Sequence, residues 1–151
     1  MFGFGKKKNG VEKEYHHNGN LKSEINYESG KEHGPIKLYH ENGKIALEGE
    51  FNIGKRYGIM TTYHENGNKS AQLEYNVLGL QTGESFDWYE SGQLKGHQSS
   101  FDSMGEANGV FTHFHPNGQM SIRGKASRGQ VDGEIEEWDE NGNLIKGDKY
   151  G

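Results

Sequence analysis

Four of the eight histidines, His16, His40, His64 and His115, recur at one position of a regular spacing, and a histidine row invites a metal reading. Short strands joined by tight turns would put equivalent residues two strands apart, about 9.6 Å. Two imidazoles on one zinc need nitrogens about 3.3 Å apart, given bonds of ~2.0–2.1 Å. The row therefore reads as a polar residue flanking each turn. His113 and His115 would share a strand face, but no third ligand accompanies them. Glu136 and Glu140 are the kind of acid pair that glycoside hydrolysis uses, yet nothing indicates a deep pocket, and an open sheet excludes little water. Neither a Gly-x-x-x-x-Gly-Lys-Ser/Thr phosphate loop nor a Gly-x-Ser-x-Gly elbow occurs. The chain has no cysteine, which removes disulfides, zinc-thiolate sites and thiol nucleophiles together. The expectation is a protein with no catalytic residue, no metal, no cofactor and no small-molecule substrate; a hydrolase is the least favoured class.

What positions these residues is a repeat. Glycines at 19, 43, 67, 92, 118 and 142 form one ladder and those at 10, 34, 58, 83, 109 and 133 a second, with paired members nine apart. Steps of 24, 24, 25, 26 and 24 residues define six copies of one unit, the signature of an array in which each unit chiefly contacts its neighbours. The segments between turns run about six to eight residues, too short for stable helices, and stretches such as Ile36-Lys37-Leu38-Tyr39 favour strands. Asn18-Gly19, Asn42-Gly43, Asn66-Gly67, Asn117-Gly118 and Asn141-Gly142 predict two-residue type I′ hairpin turns. The Gly-x-x-x-Gly runs from Gly30–Gly34 to Gly129–Gly133 predict longer loops that lead into the next hairpin, and the extra residues fall between Tyr75 and Gly79 and between Phe101 and Gly105. The fold class is all-β: a single twisted antiparallel meander of six hairpins, twelve strands and about 55 Å at ~4.8 Å per strand. Residues 1–9 are expected to be a flexible basic tail and 10–151 the repeat domain. Lys13, Glu14, Lys146, Asp148 and Lys149 stand near the two end strands, where charge discourages edge-to-edge stacking.

Four residues before each glycine of the first ladder stands an aromatic: Tyr15, Tyr39, Tyr63, Trp88, Phe114 and Trp138. Two residues after it the side chain is apolar in five of six units, from Leu21 to Leu144. Stacked rings would supply the burial that a thin sheet lacks, and any that stay exposed would anchor a partner. With only 30% hydrophobic residues a thick globular core is not expected. Residues 1–10 hold three lysines and no acid, leaving 14 Lys+Arg against 22 Asp+Glu, or −8, for the rest. That balance disfavours nucleic acid. Seven acids and two lysines in 130–151, Glu134 and Glu136 among them, would either steer a basic protein partner or simply solubilise an end repeat. Lys6–Lys8 beside two phenylalanines make a marginal membrane anchor. Phe-Gly-Phe-Gly precedes those lysines, the reverse of a signal peptide, and no run reaches transmembrane length, so a reducing cytoplasmic setting is expected.

The pattern Tyr-His-Glu-Asn-Gly at Tyr39–Gly43 and Tyr63–Gly67, with Gly30–Gly34 and Gly54–Gly58, resembles the MORN-repeat variant family, and within it the bacterial YwqK-type antitoxins, over roughly residues 10–147. The resemblance implies a hairpin-built β-solenoid, no catalytic residues and a protein-binding or neutralising role; eukaryotic relatives imply scaffolding and contact with acidic lipids. Trp88-Tyr89-Glu90-Ser91-Gly92 and Asp139 depart from the pattern. The sequence thus points to a non-enzymatic protein-binding repeat that uses Tyr15, Tyr39, Tyr63, Trp88, Phe114, Trp138, Glu134 and Glu136 to neutralise a basic partner, with a membrane-proximal scaffold as the alternative.

Overall fold

In every unit but the last the second strand is paired on both sides, so the sheet grows by one hairpin per repeat. The computed structural model describes residues 5–147. The hairpins are β1 (Gly10–Tyr15) with β2 (Leu21–Glu28), β3 (Lys31–Tyr39) with β4 (Ile45–Asn52), and β5 (Lys55–Tyr63) with β6 (Lys69–Tyr75). Then come β7 (Gln81–Trp88) with β8 (Leu94–Phe101), and β9 (Ala107–Phe114) with β10 (Met120–Ser127). The last unit comprises β11 (Gln130–Val131), β12 (Glu136–Trp138) and β13 (Leu144–Lys146). One open antiparallel sheet runs from β1 to β10 in chain order, then to β12 and β13, with β11 also on β10.

The expected twelve strands become thirteen because the first strand of the last unit splits, its two parts pairing β10 in registers that differ by two residues. The break falls at the place where other units carry a bulge. Between β2 and β3 the same shift lies beside Gly34, and between β4 and β5 beside Gly58. This corrects the loop reading of Gly-x-x-x-Gly. The first glycine closes a tight turn, whereas the second sits inside the next strand at a bulge, where its positive φ (92° at Gly34) suits an extra residue.

The two turn types are also exchanged relative to expectation. Ser29-Gly30, Ile53-Gly54 and Arg128-Gly129 are two-residue connections in which both residues have positive φ, 51° and 84° at the first, as type I′ requires. At the Asn-Gly turns only the glycine has positive φ. Gly19 N donates to His16 O at 3.0 Å and His16 N to Asn20 O at 2.8 Å, closing a three-residue turn with a glycine bulge. The reason lies in the asparagine side chain: Asn18 Oδ1 accepts from Asn20 N at 3.0 Å, a local bond that holds the turn with Asn18 outside the left-handed region. The two insertions fall in loops, as expected, and their Asn76-to-Gly79 and Asp102-to-Gly105 turns repeat this bonding.

One face carries the row Glu14, Ser23, Leu38, Leu47, Thr62, Ala71, Asp87, Gly96, His113, Ile122, Glu137 and Lys146, each directly opposite the next. Its apolar part packs around buried Ile36, Met60 and Tyr75, with Ile25, Leu38, Leu47, Phe51 and Leu73 against them. Gly49 permits this: a Cβ there would collide with the Met60 sulfur. The opposite face begins with Lys13, Glu24, Lys37 and Glu48, alternating in charge from strand to strand. Asp148, Lys149, Phe2 and Phe4 lie outside the described residues. Of the end-strand charges inside them, Lys13 pairs with Glu24 at 3.6 Å and Lys146 with Glu137 at 3.4 Å, so both lysines lean onto their own sheet.

Candidate functional site

Along one margin of the sheet the turns bond forward, each unit to the next. His16 Nε2 donates to Tyr39 O, His40 to Tyr63 O, His64 to Trp88 O and His115 to Trp138 O, all at 2.8 Å. A carbonyl only accepts, so Nε2 carries the proton in each case. In the fourth unit Tyr89 replaces histidine, and its hydroxyl reaches Phe114 O at 2.7 Å. Asn18, Asn42, Asn66 and Asn117 donate from Nδ2 to the carbonyls of Glu41, Glu65, Glu90 and Glu140 at 2.7–2.8 Å. The histidine row thus has a structural task that the sequence reading placed only as "flanking the turn". Asp139 breaks the series: it accepts from Asn141 N, Asn143 N and Asn143 Nδ2 of its own turn. Those bonds, Asn143 foremost, hold its carboxyl below the usual aspartate range.

The aromatic ladder meets the apolar ladder directly. Tyr15 stands opposite Leu21, Tyr39 opposite Ile45, Trp88 opposite Leu94, Phe114 opposite Met120 and Trp138 opposite Leu144, with Lys69 opposite Tyr63. Tyr15 is 62% exposed, whereas the other five are half-buried. Trp88 stacks on Phe86 at 5.8 Å, with Lys69 Nζ 5.9 Å from its ring. Tyr63 donates to Glu48 Oε1 at 2.5 Å, a bond that, with burial and the adjacent charge, pushes its pKa to about 12. Glu136 sits across from Arg123 on β10, and Glu134 lies in the irregular stretch between β11 and β12. Both border a groove of about 440 Å³ that also touches Arg123, Lys125 and Asp132.

The other margin is of a different character. Its turn tips expose Ile53 (61%), Val77 (62%), Leu78 (62%) and Met104 (70%). Ile53 has φ 48°, a region in which a β-branched side chain is strained. The sequence reading missed this margin because it followed the aromatics; apolar residues inside two loop insertions were the available sign. Among the described residues no three His, Cys, Asp or Glu side chains gather as a metal would need.

A single open sheet of repeated hairpins, each clamped to its successor by side-chain bonds to backbone carbonyls, defines a β-hairpin repeat scaffold. The chain belongs to the MORN repeat variant family, whose description matches residues 8–29, 32–52, 56–76, 81–102, 107–124 and 131–146. No curated protein matches the chain significantly. Such repeats serve generally as protein- or membrane-binding scaffolds and are not typically enzymes. The first match starts at residue 8, where Lys8 O already accepts from Gly30 N at 2.9 Å and Asn9 Oδ1 from Ser29 N at 2.9 Å.

Proposed function

We propose that the chain binds another protein along its sheet without catalysis and, in its specific form, neutralises that partner as an antitoxin or immunity protein does. The observation that carries this reading is the contrast between the margins. One is closed by the forward bonds and carries no exposed large apolar residue within its turns among the described residues, though Tyr15 and Ile145 beside them are exposed; the other presents Ile53, Val77, Leu78 and Met104 at its turn tips. All four are more than half exposed, and Ile53 is held in a strained backbone region. The acidic body and the Glu134–Glu136 groove favour a basic protein over lipid. Lys8, the last cation of the basic start, is engaged at the surface by Glu12 at 3.1 Å and lies over the Tyr27 ring at 5.1 Å.

The test is capture of a partner by the parent chain, followed by measurement of that partner against three variants. Joint Leu78→Asn, Met104→Gln should raise the dissociation rate about tenfold or more. Joint Glu134→Lys, Glu136→Lys should slow association and flatten its salt dependence. Lys6→Ser, Lys7→Ser should change neither. Loss of membrane association in the last variant alone would replace this reading with a membrane-proximal scaffold.

A further inference from the structure

The first unit carries an unfilled copy of the surface that every later unit presents to its predecessor. Strands β3, β5, β7 and β9 are each paired on both sides; among the described residues β1 is paired only by β2, and all six of its residues are exposed. The carbonyls of Tyr39, Tyr63, Trp88, Phe114 and Trp138 each accept from the unit before, while no described side chain reaches the carbonyl of Tyr15. The side chains on this strand also differ from those at the same positions of the interior units, among which Asp87 is the one acid. Where β3 places Ile36 and Leu38 toward the core face, β1 places Glu12 and Glu14. Glu14 has no ion partner among the described residues, and Glu12 holds only the exposed Lys8. On the other face Val11 and Tyr15 stand 55% and 62% exposed, with Lys13 drawn to Glu24.

We propose that the outer edge of β1 accepts an extended strand of a partner, one that alternates arginine or lysine with apolar residues. A strand laid there completes the unpaired ladder, sets its basic residues across from Glu12 and Glu14, and covers Val11 and Tyr15 with its apolar ones. A second copy of the chain is a poor occupant. Its last unit has Asp139 where a donor to the Tyr15 carbonyl is needed, and Asn143, whose counterparts Asn20 and Asn68 bond forward, is turned back onto Asp139. The site is separate from the apolar margin, so it stands or falls independently of the function proposed above.

The probe is a fluorescein-labelled, end-blocked octapeptide alternating arginine and valine, followed by anisotropy at low salt. Joint Glu12→Lys, Glu14→Lys should weaken binding about tenfold or more, with a melting curve like the parent's, while Trp138→Ala and joint Glu134→Lys, Glu136→Lys leave it unchanged. Of two peptides N-methylated on alternate amides, one should lose binding and the other keep it, because only one edge of a strand faces β1. The proposal is overturned if the peptide does not bind, if a glutamate–valine peptide binds equally well, or if both methylated peptides behave alike. It is also overturned if mixed Glu14→Cys and Lys146→Cys chains cross-link to each other, which would put a second copy on the edge.

Discussion

Tyr63 shows how one side-chain bond sets a measurable property. Its phenol gives a hydrogen bond to the Glu48 carboxylate, and its pKa rises from 10.0 to about 12. A pKa raised on folding means stabilisation that is complete below the unfolded value, near pH 10, and lost as pH climbs through about 12. Ultraviolet titration of the tyrosines should therefore show one phenol ionising late, and Glu48→Gln should bring it back toward its neighbours. A late phenol surviving in Tyr63→Phe would refute the assignment. The forward bonds give a second case. His64→Ala leaves the Trp88 carbonyl to water and should cost about 0.5–1.5 kcal/mol, at roughly 2–4 °C per kcal/mol in the melting temperature. His64→Tyr should recover most of that, because Tyr89 already performs this task one unit later. Zinc should leave the melting temperature unchanged, since the Nε2 atoms of His16, His40, His64 and His115 are already engaged.

Hairpins were legible in the sequence because glycine marks each turn, but the kind of turn was not. Asn-Gly is the usual token of a type I′ turn, yet here a side-chain bond from Asn18 to the backbone two residues on favours a longer turn. The true type I′ positions hold Ser29, Ile53 and Arg128, which no propensity would choose. Ile53→Asn should accordingly stabilise the fold by about 1 kcal/mol, since it relieves the strain of the left-handed region at a site with little burial to lose. A fall in stability would mean that Ile53 packs more than its exposure indicates. Along the histidine margin the fourth unit is tied to the fifth by one side-chain bond fewer than its neighbours, because Ser91 stands where asparagine bonds forward elsewhere, leaving Tyr89 as the side-chain tie there. Ser91→Asn should gain roughly 1 kcal/mol, read as a rise in the melting temperature.

At the scale of the whole molecule, the repeat period settled the order of strands because neighbouring units need only local pairing. The period was silent on which margin would be closed and which left apolar, since that depends on where side chains reach after the sheet is built. A sheet of this order should scatter with a radius of gyration near 18 Å, against roughly 15 Å for a compact chain of the same length, and a compact value would contradict an open array. The forward bonds also bear on how such a chain could lengthen. A unit that brings both the donor for its successor and the acceptor for its predecessor is self-addressed, so a duplicated copy would join seamlessly between any two such units. Tyr89 shows that the address tolerates a change of letter so long as a donor remains. Asp139 carries no donor, so of the two side-chain bonds that address a successor the last described unit keeps only the asparagine's, at Asn141.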